Sequence, residues 1–212
     1  LPPPDPGAIA EAFATLARLV FGSGEGIVRL QAGARERGAP ALVGTTRSLG
    51  ADGATWRASV APFAHPGPAR ALGAKLATRP VWRRARAWTA EHDADETLLF
   101  DAGGRLVEGA RSNLLVVDGR GALLHPEPAL GAVAGLALAV LTEREPALRP
   151  ARIGRPELAD ARELLALNAV RGVRPIVSID GRPVGDGRPG PVAARLTAAF
   201  FAAIQEESRA DR

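Results

Sequence analysis

The sequence contains no cysteine, which excludes disulfide bonds, thiolate nucleophiles and cysteine metal sites. Its three histidines, His65, His92 and His125, do not stand at metal-ligand spacings, so the sequence predicts no metal site. No apolar run reaches the roughly 18–20 residues of a membrane span, and the first residues lack the pattern of a secretion signal. These absences predict a soluble cytoplasmic protein that has no membrane partner.

Methionine is absent as well. Without an initiator residue, the 212 residues are expected to be a processed product, a fragment or the ordered part of a longer protein.

The hydrophobic fraction of 46% is sufficient for one sizeable core or two smaller ones. The formal charge is +4, but the basic residues are dispersed among acids and only 4% of residues are aromatic, too few for a stacking platform. The composition therefore does not favour a nucleic-acid partner.

Lysine is nearly absent too. Of the 27 basic residues only Lys75 is lysine, and the other 26 are arginine. Either residue can supply surface charge, but arginine cannot lose its proton near neutral pH and attack a carbonyl carbon. Lys75 is therefore a candidate for amine chemistry, and the alternative is a lysine retained on the surface by chance.

Apolar periodicity and turn residues predict helices that alternate with strands. The helices are expected at 6–21, 80–92, 132–142 and 192–207, and the strands at 26–32, 41–47, 55–62, 97–100, 113–117, 164–167 and 176–179. The pattern indicates an α/β or α+β class without internal repeats. A segment rich in Pro, Gly and Ala at 65–73 is expected to link a small lobe, 1–64, to a large lobe, 74–212.

Several motifs occur in a characteristic order along the chain. GIVRL at 26–30 precedes KLATR at 75–79, DETLLFD at 95–101 and VEGARSNL at 107–114, which are followed by LG at 130–131 and LNAVRGVRP at 167–175. In this order the chain resembles the class IV pyridoxal-phosphate enzymes. That group includes branched-chain aminotransferases, D-amino-acid aminotransferases and 4-amino-4-deoxychorismate lyases. The resemblance covers nearly the whole chain and implies a two-lobed fold and a homodimer.

The resemblance also implies a cofactor, pyridoxal 5′-phosphate, and a role for each motif. Lys75 would form the Schiff base and move the substrate proton, and Glu108 would hold the protonated pyridine nitrogen. The remaining cofactor contacts would come from three turns, which contain Ser112 and Asn113, then Gly131, Ala132 and Val133, and finally Asn168 and Ala169.

Other residues receive weaker assignments. Arg29 and Arg35 lie where family members often place groups that face the substrate carboxylate, for which a bidentate arginine is suited. Their alternative role is ordinary surface charge. The three tryptophans, Trp56, Trp82 and Trp88, are expected in the core or at an interface rather than stacked on a cofactor.

The chain departs from the family pattern in three places, one of which is Leu167, where threonine is common. Isoleucine, threonine and arginine usually follow the glycine turn, but here Ala132, Val133 and Ala134 do. Family members usually begin with some fifty to sixty further residues, and none precedes Leu1, so the small lobe is expected to be incomplete.

The leading hypothesis is an aminotransferase that exchanges an amino group between an amino acid and a 2-keto acid. The alternatives are a lyase that releases pyruvate and 4-aminobenzoate, which Arg79 slightly favours, and a cofactor-free relative kept for binding or assembly.

Overall fold

The structure is a computed structural model and describes residues 5–34, 40–69, 73–75 and 79–210. The chain divides into two compact units, Leu1–Asp52 and Gly53–Arg212. The expected linker at 65–73 and the expected strand at 55–62 both lie inside the second unit. Helices and strands are mixed throughout, which confirms the predicted α/β (α+β) class.

The first unit is a helix and a hairpin. Helix α1 (Pro6–Phe21) has the predicted bounds, and the Asp5 side chain caps it by accepting the Ala8 N–H at 2.8 Å. Strands β1 (Gly26–Ala34) and β2 (Pro40–Ser48) pair antiparallel along their whole length.

The second unit contains one mixed sheet. Its strands are β3 (Trp56–Val60), β4 (Glu96–Phe100), β5 (Leu106–Gly109), β6 (Asn113–Val117), β7 (Leu123–Pro126), β8 (Arg149–Ala151), β9 (Glu163–Asn168), β10 (Gly172–Ile179) and β11 (Arg182–Pro183). The order is β5-β4-β3-β10-β9-β6-β7-β8, with β11 beside β10. The helices are α2 (Val81–Glu91), α3 (Leu136–Arg144), α4 (Arg155–Ala159) and α5 (Pro191–Ala210). The sequence patterns missed the short elements β5, β7, β8, β11 and α4.

Strands β6 and β9 form the centre of this sheet and are buried on both faces. Side chains alternate across a strand, so Leu114 and Leu164 pack into one core cluster whereas Leu115 and Leu165 pack into the other. Helices α3 and α5 cover the second cluster. Because both faces are covered, these strands read in the sequence as continuous apolar runs rather than alternating ones.

Helix α3 begins later than predicted, at Leu136 instead of residue 132. Gly131 has φ +101°, in the left-handed region, and a Cβ there would lie 2.6 Å from backbone atoms of Gly67 and Pro68. The Ala134 N–H then donates to the Gly73 carbonyl at 2.8 Å, outside any helical pattern. Long-range contacts therefore keep the segment 132–135 outside the helix, although its apolar composition predicts helix.

Within the described ranges, no helix is long and apolar enough to cross a membrane. The same residues contain no group of three or more histidines and carboxylates placed to hold a metal ion.

Candidate active site

Glu108, on β5, is the centre of a buried polar cluster. The residue is only 2% exposed. Its Oε1 accepts the indole N–H of Trp82 at 2.6 Å, and its Oε2 accepts the backbone N–H of Val133 at 2.9 Å. The Nε2 of His65, whose side chain is fully buried, lies 3.3 Å from Oε1. These contacts offset the cost of removing a carboxylate from water.

The three groups around Glu108 come from segments that are distant in sequence. His65 follows β3, and its backbone N–H donates to the Phe100 carbonyl at the end of β4, at 2.7 Å. Trp82 lies in the first turn of α2, with its apolar part in a small core cluster. Val133 belongs to the segment before α3. The site is thus assembled by the sheet and not by any local motif.

Lys75 approaches the same cluster. Its Nζ lies 5.2 Å from the centroid of the Trp82 ring, whose edge binds Glu108. The residue is exposed, yet partial burial of the amine lowers the pKa of Lys75; Arg86 also lowers it, whereas Glu108 and Glu96 act in the opposite direction. A larger share of the amine is therefore neutral, and able to act as nucleophile or base, than in an ordinary lysine.

Arg79 adds a second cation beside the same tryptophan. Its Cζ lies 5.8 Å from the Trp82 ring centroid, and its Nη2 donates to the Gly67 carbonyl at 2.6 Å. From the sequence, Arg79 was expected only to distinguish family members, and Trp82 was expected in the core or at an interface. Trp82 is indeed only 3% exposed, but its indole N–H makes it part of the polar cluster. The position of Trp82, seven residues after Lys75, did not indicate this polar role.

Ser112 and Asn113 bind other parts of the protein. The Ser112 hydroxyl donates to the buried carboxylate of Glu96 at 2.5 Å, and that carboxylate also accepts the N–H of Ala110 at 2.8 Å. The Asn113 amide donates to the Val133 carbonyl at 2.8 Å. Ser112 thus fixes the turn that follows Glu108, and Asn113 fixes the segment before α3.

The predicted phosphate turns offer fewer free N–H groups than expected. In the first turn, Gly131 donates to the Pro128 carbonyl and Val133 donates to Glu108, which leaves only the Ala132 N–H without a partner among the described residues. In the second, Asn168 Oδ1 accepts the N–H groups of both residues that follow Ala169, at 3.0 and 2.8 Å. The Ala169 N–H has no partner in the described part of the chain.

The two turns are linked through Asn113. Asn113 pairs with Leu167, the residue before Asn168, and its side chain binds the Val133 carbonyl. The sheet therefore connects two turns that are separate in the sequence. Of the two predicted substrate arginines, Arg29 is exposed on β1 in the first unit, and Arg35 lies outside the described residues.

Sequence comparison identifies relatives over most of the chain. The family profile described as "Amino-transferase class IV" matches residues 8–179. The branched-chain-amino-acid aminotransferase of Salmonella typhimurium is 31% identical over 152 residues, which are 70% of this chain and 48% of that protein. The Pseudomonas aeruginosa enzyme of the same name is 31% identical over 120 residues, 55% of this chain and 39% of that protein. The chain thus spans about half, or less, of these curated relatives.

Solved structures share the fold. The Escherichia coli branched-chain amino acid aminotransferase superposes with a TM-score of 0.80 at 21% identity, over 94% of this chain and 71% of that chain. A further branched-chain amino acid aminotransferase, solved with pyridoxamine 5′-phosphate, gives a TM-score of 0.80 at 24% identity, with the same two coverages.

The two tryptophans of α2 provide a matched test of the polar cluster. Trp82→Phe should lower the free energy of unfolding by about 1–3 kcal/mol more than Trp88→Phe, because it removes a donor from a buried carboxylate. The Trp88 Nε1 is also buried but has no hydrogen-bond partner among the described residues, so its loss removes no bond. Urea denaturation of both variants measures the difference, and equal destabilisation would show that the Trp82–Glu108 bond does not stabilise the fold.

Proposed function

Because the chain belongs to the class IV aminotransferase family, whose enzymes use pyridoxal phosphate, we propose that it is an aminotransferase that exchanges an amino group between an amino acid and a 2-keto acid. The observation that supports this most strongly is the position of its one lysine. Lys75 shares the Trp82 ring with Glu108, so the amine and the acid that the cofactor requires lie in one site. In an arginine-rich chain this placement is not expected of a surface lysine.

The residues present fit pyridoxal phosphate. Lys75 offers an amine with a lowered pKa, which suits covalent attachment of an aldehyde. Glu108 is a buried carboxylate that accepts one aligned hydrogen bond on each oxygen, and a carboxylate has about four acceptor sites, so it can bind a further N–H. The N–H groups of Ala132 and Ala169 remain for the phosphate.

When bound, pyridoxal phosphate supplies an electron-withdrawing ring that makes the α-proton of an amino acid easier to remove. Lys75 Nζ would take that proton from the α-carbon of the amino acid and deliver it to the cofactor. Its lowered pKa favours the form that accepts a proton near neutral pH. Glu108 would place its negative charge beside the ring nitrogen, in a site where low exposure to water strengthens the interaction.

Two properties of the whole protein are part of the same proposal. The first is a homodimer, which the family resemblance implies, and the second is a cytoplasmic location. Light scattering coupled to gel filtration should give twice the mass of the chain, and a monomer that remains active would reject the dimer.

Labelling should identify the cofactor-linked amine. Borohydride reduction in the presence of pyridoxal phosphate should attach the label to the peptide that contains Lys75, and Lys75→Arg should remove it. Because the pKa of Lys75 is lowered, labelling should already be efficient at a pH below that required by an ordinary lysine. Label on the amino terminus alone, unchanged by Lys75→Arg, would reject the assignment.

An activity assay then distinguishes the three hypotheses. With pyridoxal phosphate, an amino acid and 2-oxoglutarate, the protein should form glutamate and a keto acid, and Lys75→Ala should lower the rate by about 10²–10⁴-fold. Aminodeoxychorismate should give no pyruvate. Pyruvate with 4-aminobenzoate would instead identify a lyase, and a protein that neither binds the cofactor nor turns over would identify a binding or assembly protein.

A further inference from the structure

The two oxygens of Glu108 have different surroundings. Oε1 accepts the Trp82 indole N–H at 2.6 Å and has His65 Nε2 3.3 Å away. Oε2 accepts the Val133 N–H at 2.9 Å and no other hydrogen bond from the described residues. Each carboxylate oxygen accepts about two hydrogen bonds. Oε1 is therefore flanked by two side chains, whereas Oε2 receives only a backbone N–H from the described residues and retains an acceptor position.

The backbone determines which nitrogen of His65 carries its proton. The Nδ1 of His65 accepts the N–H of Gly67 at 3.2 Å, so a neutral imidazole must hold its hydrogen on Nε2. That Nε2 is fully buried and has no aligned hydrogen bond within the described residues. It lies within 3.3 Å of Glu108 Oε1. His65 therefore places its Nε2 beside the same oxygen as Trp82, without an aligned hydrogen bond to it.

Trp82 connects this acid to the predicted amine. The edge of its indole binds Glu108, while the Nζ of Lys75 lies 5.2 Å from the ring centroid. His65 packs edge-on against the same indole, with ring centroids 6.5 Å apart and planes at 63°. The indole is only 3% exposed, so the core holds it in place. One buried side chain thus lies beside both functional groups.

We infer that Trp82 and His65 are positioning residues for cofactor binding, which together hold Oε1 of Glu108 so that Oε2 receives the ring nitrogen of pyridoxal phosphate. The inference rests on the proposed function. It assigns to Trp82 and His65 a role that the family motifs do not contain, since neither residue lies in any of the motifs. Both act through Glu108 and need not contact the substrate.

Four variants separate this role from general packing. Trp82→Phe removes the indole N–H and keeps an aromatic ring. His65→Asn keeps an acceptor near the Nδ1 position for Gly67 but removes the donor at Nε2, whereas His65→Gln restores a donor there. Trp88→Phe is the matched control, because it makes the same change on the same helix, where the indole N–H has no partner among the described residues.

The measurements are the dissociation constant of pyridoxal phosphate and the pH dependence of the bound cofactor's absorption spectrum. Trp82→Phe should weaken binding about tenfold, which corresponds to roughly 1.4 kcal/mol. A less well placed carboxylate stabilises the protonated ring nitrogen less. The spectral change that reports loss of the proton from this nitrogen should therefore occur at lower pH. His65→Asn should shift both quantities in the same direction by less, His65→Gln should reverse much of that shift, and Trp88→Phe should leave both unchanged.

The possible failures can be told apart. If the unmodified protein is not labelled at Lys75, the proposed function fails and this inference fails with it. If labelling succeeds but Trp82→Phe and His65→Asn bind and titrate like the unmodified protein, only the inference fails. Tighter binding by Trp82→Phe would also overturn it, because the indole would then obstruct the cofactor. If Trp82→Phe does not fold, the comparison of His65→Asn with His65→Gln decides.

Discussion

A carboxylate that is almost completely buried needs hydrogen-bond donors or a cation, because its desolvation otherwise costs several kcal/mol. In this protein that carboxylate is Glu108, and its requirement organises the site. His65, Trp82 and Val133 come from three separate segments. Trp82 and Val133 donate N–H groups to Glu108, and the Nε2 of His65 lies 3.3 Å from its Oε1. The same arrangement places the Trp82 ring beside Lys75, so the lysine approaches the acid without a direct bond to it.

The protein contains a second buried acid, and the contrast shows what is distinctive about Glu108. Glu96, on the neighbouring strand, accepts hydrogen bonds from Ser112 and from the N–H groups of Thr97 and Ala110. Burial nevertheless raises its pKa, as expected for a carboxylate held away from water. All three of its donors lie next to it or in the adjacent turn, so its role is local: it fixes the turn after Glu108. The donors of Glu108 instead join distant parts of the sheet.

The sequence alone predicted the elements that are determined by interactions between neighbouring residues. The helix at 6–21 and the strand at 113–117 have the observed bounds, because capping, periodicity and a continuous apolar run are properties of neighbouring residues. The sequence could not predict that α3 begins only at Leu136, since contacts with Glu108 and Gly73 keep the preceding segment out of the helix. For the same reason it placed Trp82 in the core: the indole is buried, and only its long-range partner shows that it is also polar. Lys75 was identified as the one lysine among the basic residues, and Glu108 was identified through family resemblance rather than geometry.

The most direct test is a crystal structure of the protein grown with pyridoxal phosphate. Electron density should be continuous from Lys75 Nζ to the cofactor, with the ring nitrogen about 2.7–2.9 Å from Oε2 of Glu108, as expected for a charge-assisted hydrogen bond. Trp82 and His65 should remain at Oε1. A cofactor bound elsewhere, or a ring nitrogen that faces another group while Lys75 stays unmodified, would contradict the central claim that Lys75 and Glu108 form one cofactor site.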